Sequence, residues 1–346
     1  KNLIIGGNFA TNPWQRGTSF TALASNAYCA DRWQCQRNGS GVATYSRASD
    51  GPTVAQSGLY APNCLSIAVT TAQASVAAGE FHTLTQYLEG YNFSRIAQRA
   101  FVVSFWVKST VTGTYCVSAS NNGQDRSFVG EYTVIGSNTW EYKTIRMLAS
   151  PSAGGWNYTN SKGLQLFFTL AAGTTFHTTA GAWQSGNFIA TSNQVNALNS
   201  ISNVFRIAHI QIEAGTDPTQ FEERDHITEL GLCQRYYEKS FTIDTAPANN
   251  AGAQGGGLTI NAAAAGVNNN IAHVAYKERK RATATVLLYN PSAGTAGQFW
   301  NSNRNADCTG TSSLYNGDNG FALFATGNAT NATGDPWVIH WTADAE

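Results

Sequence analysis

The chain has 346 residues and a mass of 37.0 kDa; 42% of its residues are hydrophobic and only 12% charged, against roughly 25% charged in ordinary globular domains. Lys+Arg and Asp+Glu both number 21, so no net charge draws the chain toward nucleic acid or anionic lipid. No apolar run approaches the ~20 residues of a membrane-crossing helix, which excludes helical membrane insertion, and the length calls for two domains.

In chain order, Lys1-Asn2 leads straight into a first strand, Asn2–Phe9, that breaks at Gly6-Gly7. The absence of an initiator Met and of a signal-peptide pattern reads as a piece of a longer chain. Further strands are expected at 64–70, 101–108, 114–120, 139–147, 164–170 and 203–212, separated by turn clusters such as Asn121-Asn122-Gly123 and Ala171-Ala172-Gly173. The strand at 101–108 puts Phe101, Val103, Phe105 and Val107 on one face and Val102, Ser104, Trp106 and Lys108 on the other. In 164–170, Leu164, Leu166, Phe168 and Leu170 alternate with Gln165, Phe167 and Thr169. Period-two patterning of this kind fits antiparallel sheets, and the aromatic on each polar face fits either a sugar-facing surface or cover by a loop.

After the glycine at 215, residues 225–238 form the one expected helix, with Asp225 as N-cap and Ile227, Leu230, Gln234 and Tyr237 at helical spacing. Residues 246–270 are uncharged and rich in Gly, Ala and Asn, which suits a flexible loop or a close-packed oligomer surface. Strands return at Ile271–Tyr276, Ala284–Tyr289, Gly297–Asn301, Gly320–Ala325 and Pro336–Trp341. The basic cluster Lys277-Glu278-Arg279-Lys280-Arg281 reads as a solvated strand edge. The six cysteines are dispersed, without C-x-x-C or zinc spacing, and read as reduced, small apolar residues. The fold class expected is all-β: an N-terminal jelly-roll β-sandwich over 1–222, a short connecting helix within 223–240, and a smaller C-terminal β-domain over 241–346.

Three stretches carry a resemblance. They are the start (Asn2-Leu3-Ile4-Ile5-Gly6-Gly7-Asn8-Phe9, then Trp14-Gln15-Arg16-Gly17-Thr18-Ser19-Phe20 and Ala30-Asp31-Arg32-Trp33), residues 203–240 with Leu232-Cys233-Gln234-Arg235-Tyr236-Tyr237, and the strand at 280–291. Together they resemble the tail-fibre and spike receptor-binding proteins of tailed bacteriophages. That resemblance implies a carbohydrate-binding jelly roll, a homotrimer, a place on the virion at the tail fibre, the spike or the capsid surface, and as partners host surface polysaccharide and other virion proteins. It also implies one structural calcium at most, for which Asn8, Asp31 and Glu213 have suitable oxygens; no cofactor is required.

Sugar recognition needs flat apolar faces for pyranose C–H groups and polar neighbours for hydroxyls. Trp106, Trp156, Tyr158, Trp183, Trp300, Tyr315 and Trp337 are the candidates, most of them in Gly- or Asn-rich contexts. Catalysis has less support. Glu80, Glu89, Glu131 and Glu141 read as exposed, with no spacing that pairs them, and no histidine sits beside a Gly-x-Ser-x-Gly elbow or in H-E-x-x-H. His209 reads as a hydrogen-bonded structural residue. The expected function is therefore non-enzymatic glycan binding, with a capsule-modifying depolymerase or esterase, or a purely structural fibre or head-decoration segment, as the alternatives.

Overall fold

A computed structural model describes residues 1–253, 255–262, 268–328 and 330–346, with 268–271 described by backbone alone. The chain divides into two units, Lys1–Asn12 with Thr18–Glu229, and Pro13–Gly17 with Leu230–Glu346. The division therefore falls inside the helix, and five residues near the start belong to the second unit.

The first unit contains strands β1 (Ser19–Phe20), β2 (Gln34–Asn38), β3 (Val42–Ala48), β4 (Cys64–Thr71), β5 (Phe81–Glu89), β6 (Phe101–Ser109), β7 (Gly113–Asn121), β8 (Arg126–Val134), β9 (Glu141–Met147), β10 (Lys162–Ala172), β11 (Trp183–Ser185) and β12 (Val204–Ala214). One sheet has the order β1-β3-β4-β12-β6-β9 and the other β11-β8-β7-β10-β5-β2. From β4 onward the chain crosses between the sheets except at the β7-β8 hairpin and at β10-β11, so that β4-β12-β6-β9 opposes β5-β10-β7-β8, which is jelly-roll order. The expected inner faces meet: Phe105 of β6 lies edge-on to Phe168 of β10 and to Tyr132 of β8, both at 5.0 Å. Trp33 continues this row, 6.1 Å from Phe168 and 5.8 Å from Phe9.

The opening segment corrects the expectation of a strand at Asn2–Phe9. Its backbone is satisfied largely by side chains: Gln86 of β5 accepts from Ile5 N at 3.0 Å and donates to Ile5 O at 2.8 Å, and Asn2 Oδ1 accepts from Ile4 N. Glu229 accepts from Gly6 N, and Arg224 donates to the carbonyls of Asn2 and Ile4. The double glycine is a packing requirement. Gly6 has φ +68°, and a Cβ on Gly7 would stand 2.5 Å from the carbonyl oxygen of Ile210.

Short helices α1 (Val54–Ser57) and α2 (Gly90–Phe93) interrupt the strands, and α3 (His226–Gln234) is the helix expected at 225–238. It ends earlier because the next residues extend as β13 (Tyr237–Lys239) and pair with the last strand.

The second unit adds β14 (Leu258–Asn261), β15 (Asn268–Ala275), β16 (Thr285–Tyr289), β17 (Trp300–Asn301), β18 (Ala306–Asp307), β19 (Thr309–Leu314), β20 (Gly320–Thr326) and β21 (Pro336–Asp344). β21 is its hub, pairing with β13, β14, β16 and β17, while β15-β20-β19 form a separate three-stranded sheet. Trp337, Ile339 and Trp341 of β21 pack with Phe299, Phe321 and Leu323. Pro13–Gly17 is fastened here too: Arg16 pairs with Asp344 at 2.9 Å and lies 3.6 Å over the Tyr237 ring, and Gln15 donates to Tyr237 O. Of the 246–270 stretch, Leu258–Asn261 is a paired strand, not a loop, and residues 254 and 263–267 lie outside the described residues.

Lys280 corrects the reading of its cluster as a solvated edge. It is fully buried, 2.7 Å from Glu238 and 4.4 Å above the Tyr276 ring, and burial pulls its ammonium pKa down despite the carboxylate. All six cysteines are buried. No helix among the described residues is long and apolar enough to cross a membrane.

Candidate functional site

The outer face of the first sheet carries a cleft. Its lining starts from β6, where Ser104 and Trp106 alternate outward from the inward Val103, Phe105 and Val107. Tyr142 of β9 stands directly across from Trp106, with ring centroids 5.6 Å apart and planes tilted by 49°. On the other side of β6, Ala208 of β12 pairs with Trp106 and Gln211 with Ser104. Two steps along β6 thus match three along β12, which is a one-residue bulge. His209 is the residue inserted. It adopts φ +49°, a region a non-glycine residue rarely occupies, and its ring joins the cleft at 5.2 Å from Phe221.

The remaining walls come from Thr219, Gln220 and Phe221, which follow β12, and from Gln56 and Ser57 at the end of α1. The turn between Gly215 and Phe221 is held by Glu213, whose carboxylate accepts from Thr219 N at 2.7 Å, Thr219 Oγ1 at 2.7 Å and Gln211 Nε2 at 2.8 Å. The cavity holds about 370 Å³. Its lining combines three aromatic rings with neutral polar groups, and no carboxylate, lysine or arginine belongs to it. Burial alone holds the His209 imidazole down at a pKa of about 4, so the ring is uncharged at neutral pH. The expectation that His209 is hydrogen-bonded is corrected: neither ring nitrogen has a partner among the described residues.

The other candidates lie elsewhere. Trp156, Tyr158 and Trp183 come together around Phe93 of α2. Phe93 stacks on Trp156 at 5.1 Å and on Tyr158 at 5.9 Å, and Trp183 meets Trp156 edge-on at 5.6 Å. These rings spend much of their surface on one another. Trp300 is half-buried in β17, and Tyr315, 81% exposed, edges a second and more open hollow on the second unit, with His273, Asp318 and Phe321. Trp337 is a correction: it is 0% exposed in the core beside Phe299, so its ring faces cannot meet a ligand. The outer face of β10 follows the second of its two expected readings, cover: Phe167 and its neighbours Gln165 and Thr169 are buried.

For the calcium candidates, Glu213 is engaged in its turn and Asn8 Oδ1 accepts from Ala10 N. Asp31 is buried, and no group of three or more His, Cys, Asp or Glu suited to a metal occurs among the described residues. Of the four acids considered for catalysis, Glu80 holds Gln73 and Ala77, Glu131 holds Thr191 and Asn193, and Glu141 holds Ile135, Gly136 and Lys143. Glu89, expected at the surface, is buried.

Sequence reasoning found Trp106 and missed Tyr142, Phe221 and His209. One signal was available for His209. The inward residues of β12 are Phe205, Ile207, Ile210 and Ile212, and the spacing slips from two to three where the bulge lies.

No protein-family model matches the chain, and no curated protein does. Among solved structures it is similar to a family 11 carbohydrate-binding module from Clostridium thermocellum in complex with a β-1,3-1,4-mixed-linked tetrasaccharide, at 11% identity over 58% of this chain and 99% of that one, with a TM-score of 0.31. TmCBM61 in complex with β-1,4-galactotriose is similar at 10% identity, 62% and 99% coverage and a TM-score of 0.30. A CBM4 structure gives 11% identity, 61% and 98% coverage and a TM-score of 0.32. Likeness of this size carries no functional argument.

Proposed function

We propose that this chain is a non-enzymatic component of a phage fibre or spike that binds host cell-surface polysaccharide at the cleft on the first sheet. The observation that carries this reading is the lining itself. Trp106, Tyr142 and Phe221 offer ring faces to sugar C–H groups, and Ser104, His209, Gln56, Thr219 and Gln220 offer uncharged hydrogen-bonding groups to hydroxyls. Glycoside hydrolysis draws on a pair of carboxylates, and the lining contains none. The phage setting is supported by the resemblance of residues 2–33, 203–240 and 280–291. In a homotrimer, three such clefts would add their weak affinities by multivalency.

Electrophoresis through gels containing purified capsular or cell-wall polysaccharides tests the reading. At least one polysaccharide is expected to retard the protein. Trp106→Ala and Tyr142→Ala are each expected to weaken that retardation about tenfold or more, since each removes a stacking face worth ~1–3 kcal/mol. Release of reducing ends or acetate from the retained polysaccharide would instead establish an enzyme. The trimer is checked by light scattering, with an expected mass of three times 37.0 kDa.

A further inference from the structure

The cleft contains a buried polar side chain that bonds nothing among the described residues. His209 is 2% exposed, and neither of its ring nitrogens has a hydrogen-bond partner among the described residues. Ser104, two positions from Trp106 on the same strand face, is 3% exposed and lines the same cleft. An unsatisfied buried polar group costs about 1–3 kcal/mol, and native structures carry few of them. Here that cost is added to a bulge and a left-handed backbone at His209 itself. The bulge is what turns the ring out of the sandwich core and into the cleft.

We propose that His209 and Ser104 make this cleft selective for an uncharged sugar residue, read through its hydroxyls, against uronic and sialic acids. This rests on the glycan reading of the same cleft and names the class of sugar it takes. A neutral imidazole presents one N–H donor and one acceptor nitrogen, and a serine hydroxyl does both. A sugar hydroxyl also donates and accepts, so each group in the cleft finds its complement. A carboxylate only accepts: it satisfies the N–H, leaves the second nitrogen empty, and carries its charge into a hollow whose lining has no cation. The cations on the same sheet face, Lys108 and Arg206, close on Asp50 at 2.9 and 3.1 Å and lie outside the lining. The depressed basicity of the buried imidazole agrees with this geometry, because a charged ring would favour the acidic sugars instead.

The test uses calorimetric titration of the full chain with neutral tetrasaccharides of glucose, galactose, mannose and N-acetylglucosamine, and with the glucuronic, galacturonic and sialic acid oligomers of the same length. The wild type, His209→Phe, His209→Gln and Trp106→Ala are compared after their melting temperatures have shown each to be folded. A neutral sugar is expected to bind, its uronic counterpart to bind at least ~tenfold more weakly, and His209→Phe to lose about tenfold in affinity. His209→Gln, whose amide keeps a donor and an acceptor, is expected to recover most of that loss. Equal or tighter binding of the acidic oligomers overturns the proposal, and so does undiminished neutral-sugar binding by His209→Phe; in both cases loss of binding in Trp106→Ala leaves the cleft standing as a glycan site. Binding that is absent, or identical in the wild type and Trp106→Ala, overturns the glycan reading and this inference with it.

Discussion

His82 sits between the sheets on β5, with its Nε2 2.6 Å from the Tyr45 hydroxyl and 3.8 Å from Cys35 Sγ. Burial first, and then the charge of Arg37, hold its pKa down at about 3, from an ordinary 6.5. Folding therefore denies this ring a proton that the unfolded chain takes up below pH 6.5. Stability is expected to be full above that value, to fall as the pH drops toward 3, and to level below it, by at most ~1.4 kcal/mol per pH unit for one such group. His209 adds in the same direction down to about 4. Carboxylates titrate mainly below ~4.5; Glu229, pushed up by burial, is an exception and acts in the opposite direction, so the fall in stability between 6.5 and 4.5 comes from the histidines. Urea midpoints at pH 7, 6 and 5 check this; His82→Gln should flatten the pH dependence, and an unchanged slope would refute the assignment.

The N-terminal segment shows how an element can be read correctly as extended and wrongly as a strand. Gln86 does the work of a neighbouring strand for Ile5 through one side-chain amide. Gln86→Leu leaves a buried N–H and a buried C=O without partners, and a loss of about 2–4 kcal/mol is expected in urea unfolding. A loss below ~1 kcal/mol would mean that the segment re-pairs. Six strands of the sandwich were legible, β4, β6, β7, β9, β10 and β12, most plainly where one face alternates without interruption, as Phe101 to Val107 and Leu164 to Leu170 do, whereas β2, β3 and β8 were not among those expected. Whether the opposite face was wet or covered was not legible: Trp106 opens into a cleft and Phe167 is sealed, though both lie among polar neighbours. That difference is made by segments distant in sequence. The cleft itself was half legible, since Trp106 was found from its strand whereas Tyr142 and Phe221 enter only through pairing and through the turn after Gly215. Trp337 shows the converse failure, an aromatic beside Asp335-Pro336 that the hub strand β21 draws into a core.

At the scale of the molecule, the boundary expected at residue 222 passes in front of two side chains that close the first unit. Arg224 and Glu229 hold the carbonyls of Asn2 and Ile4 and the amide of Gly6. A fragment ending at 222 lacks both, so it is expected to melt several degrees below one ending at 229 (~2 kcal/mol for buried, charge-assisted bonds). Equal melting temperatures in differential scanning calorimetry would show the closure to be dispensable. The five residues Pro13–Gly17 have a different consequence, since they precede the whole sandwich in the chain and yet belong with Leu230–Glu346. Any gene crossover between codons 18 and 229 would join an Arg16 from one parent to an Asp344 from another. Mosaic descendants should therefore inherit the codons for Pro13–Gly17 together with those for Leu230–Glu346, and exchange of the second unit by recombination is constrained at two separated places in the gene.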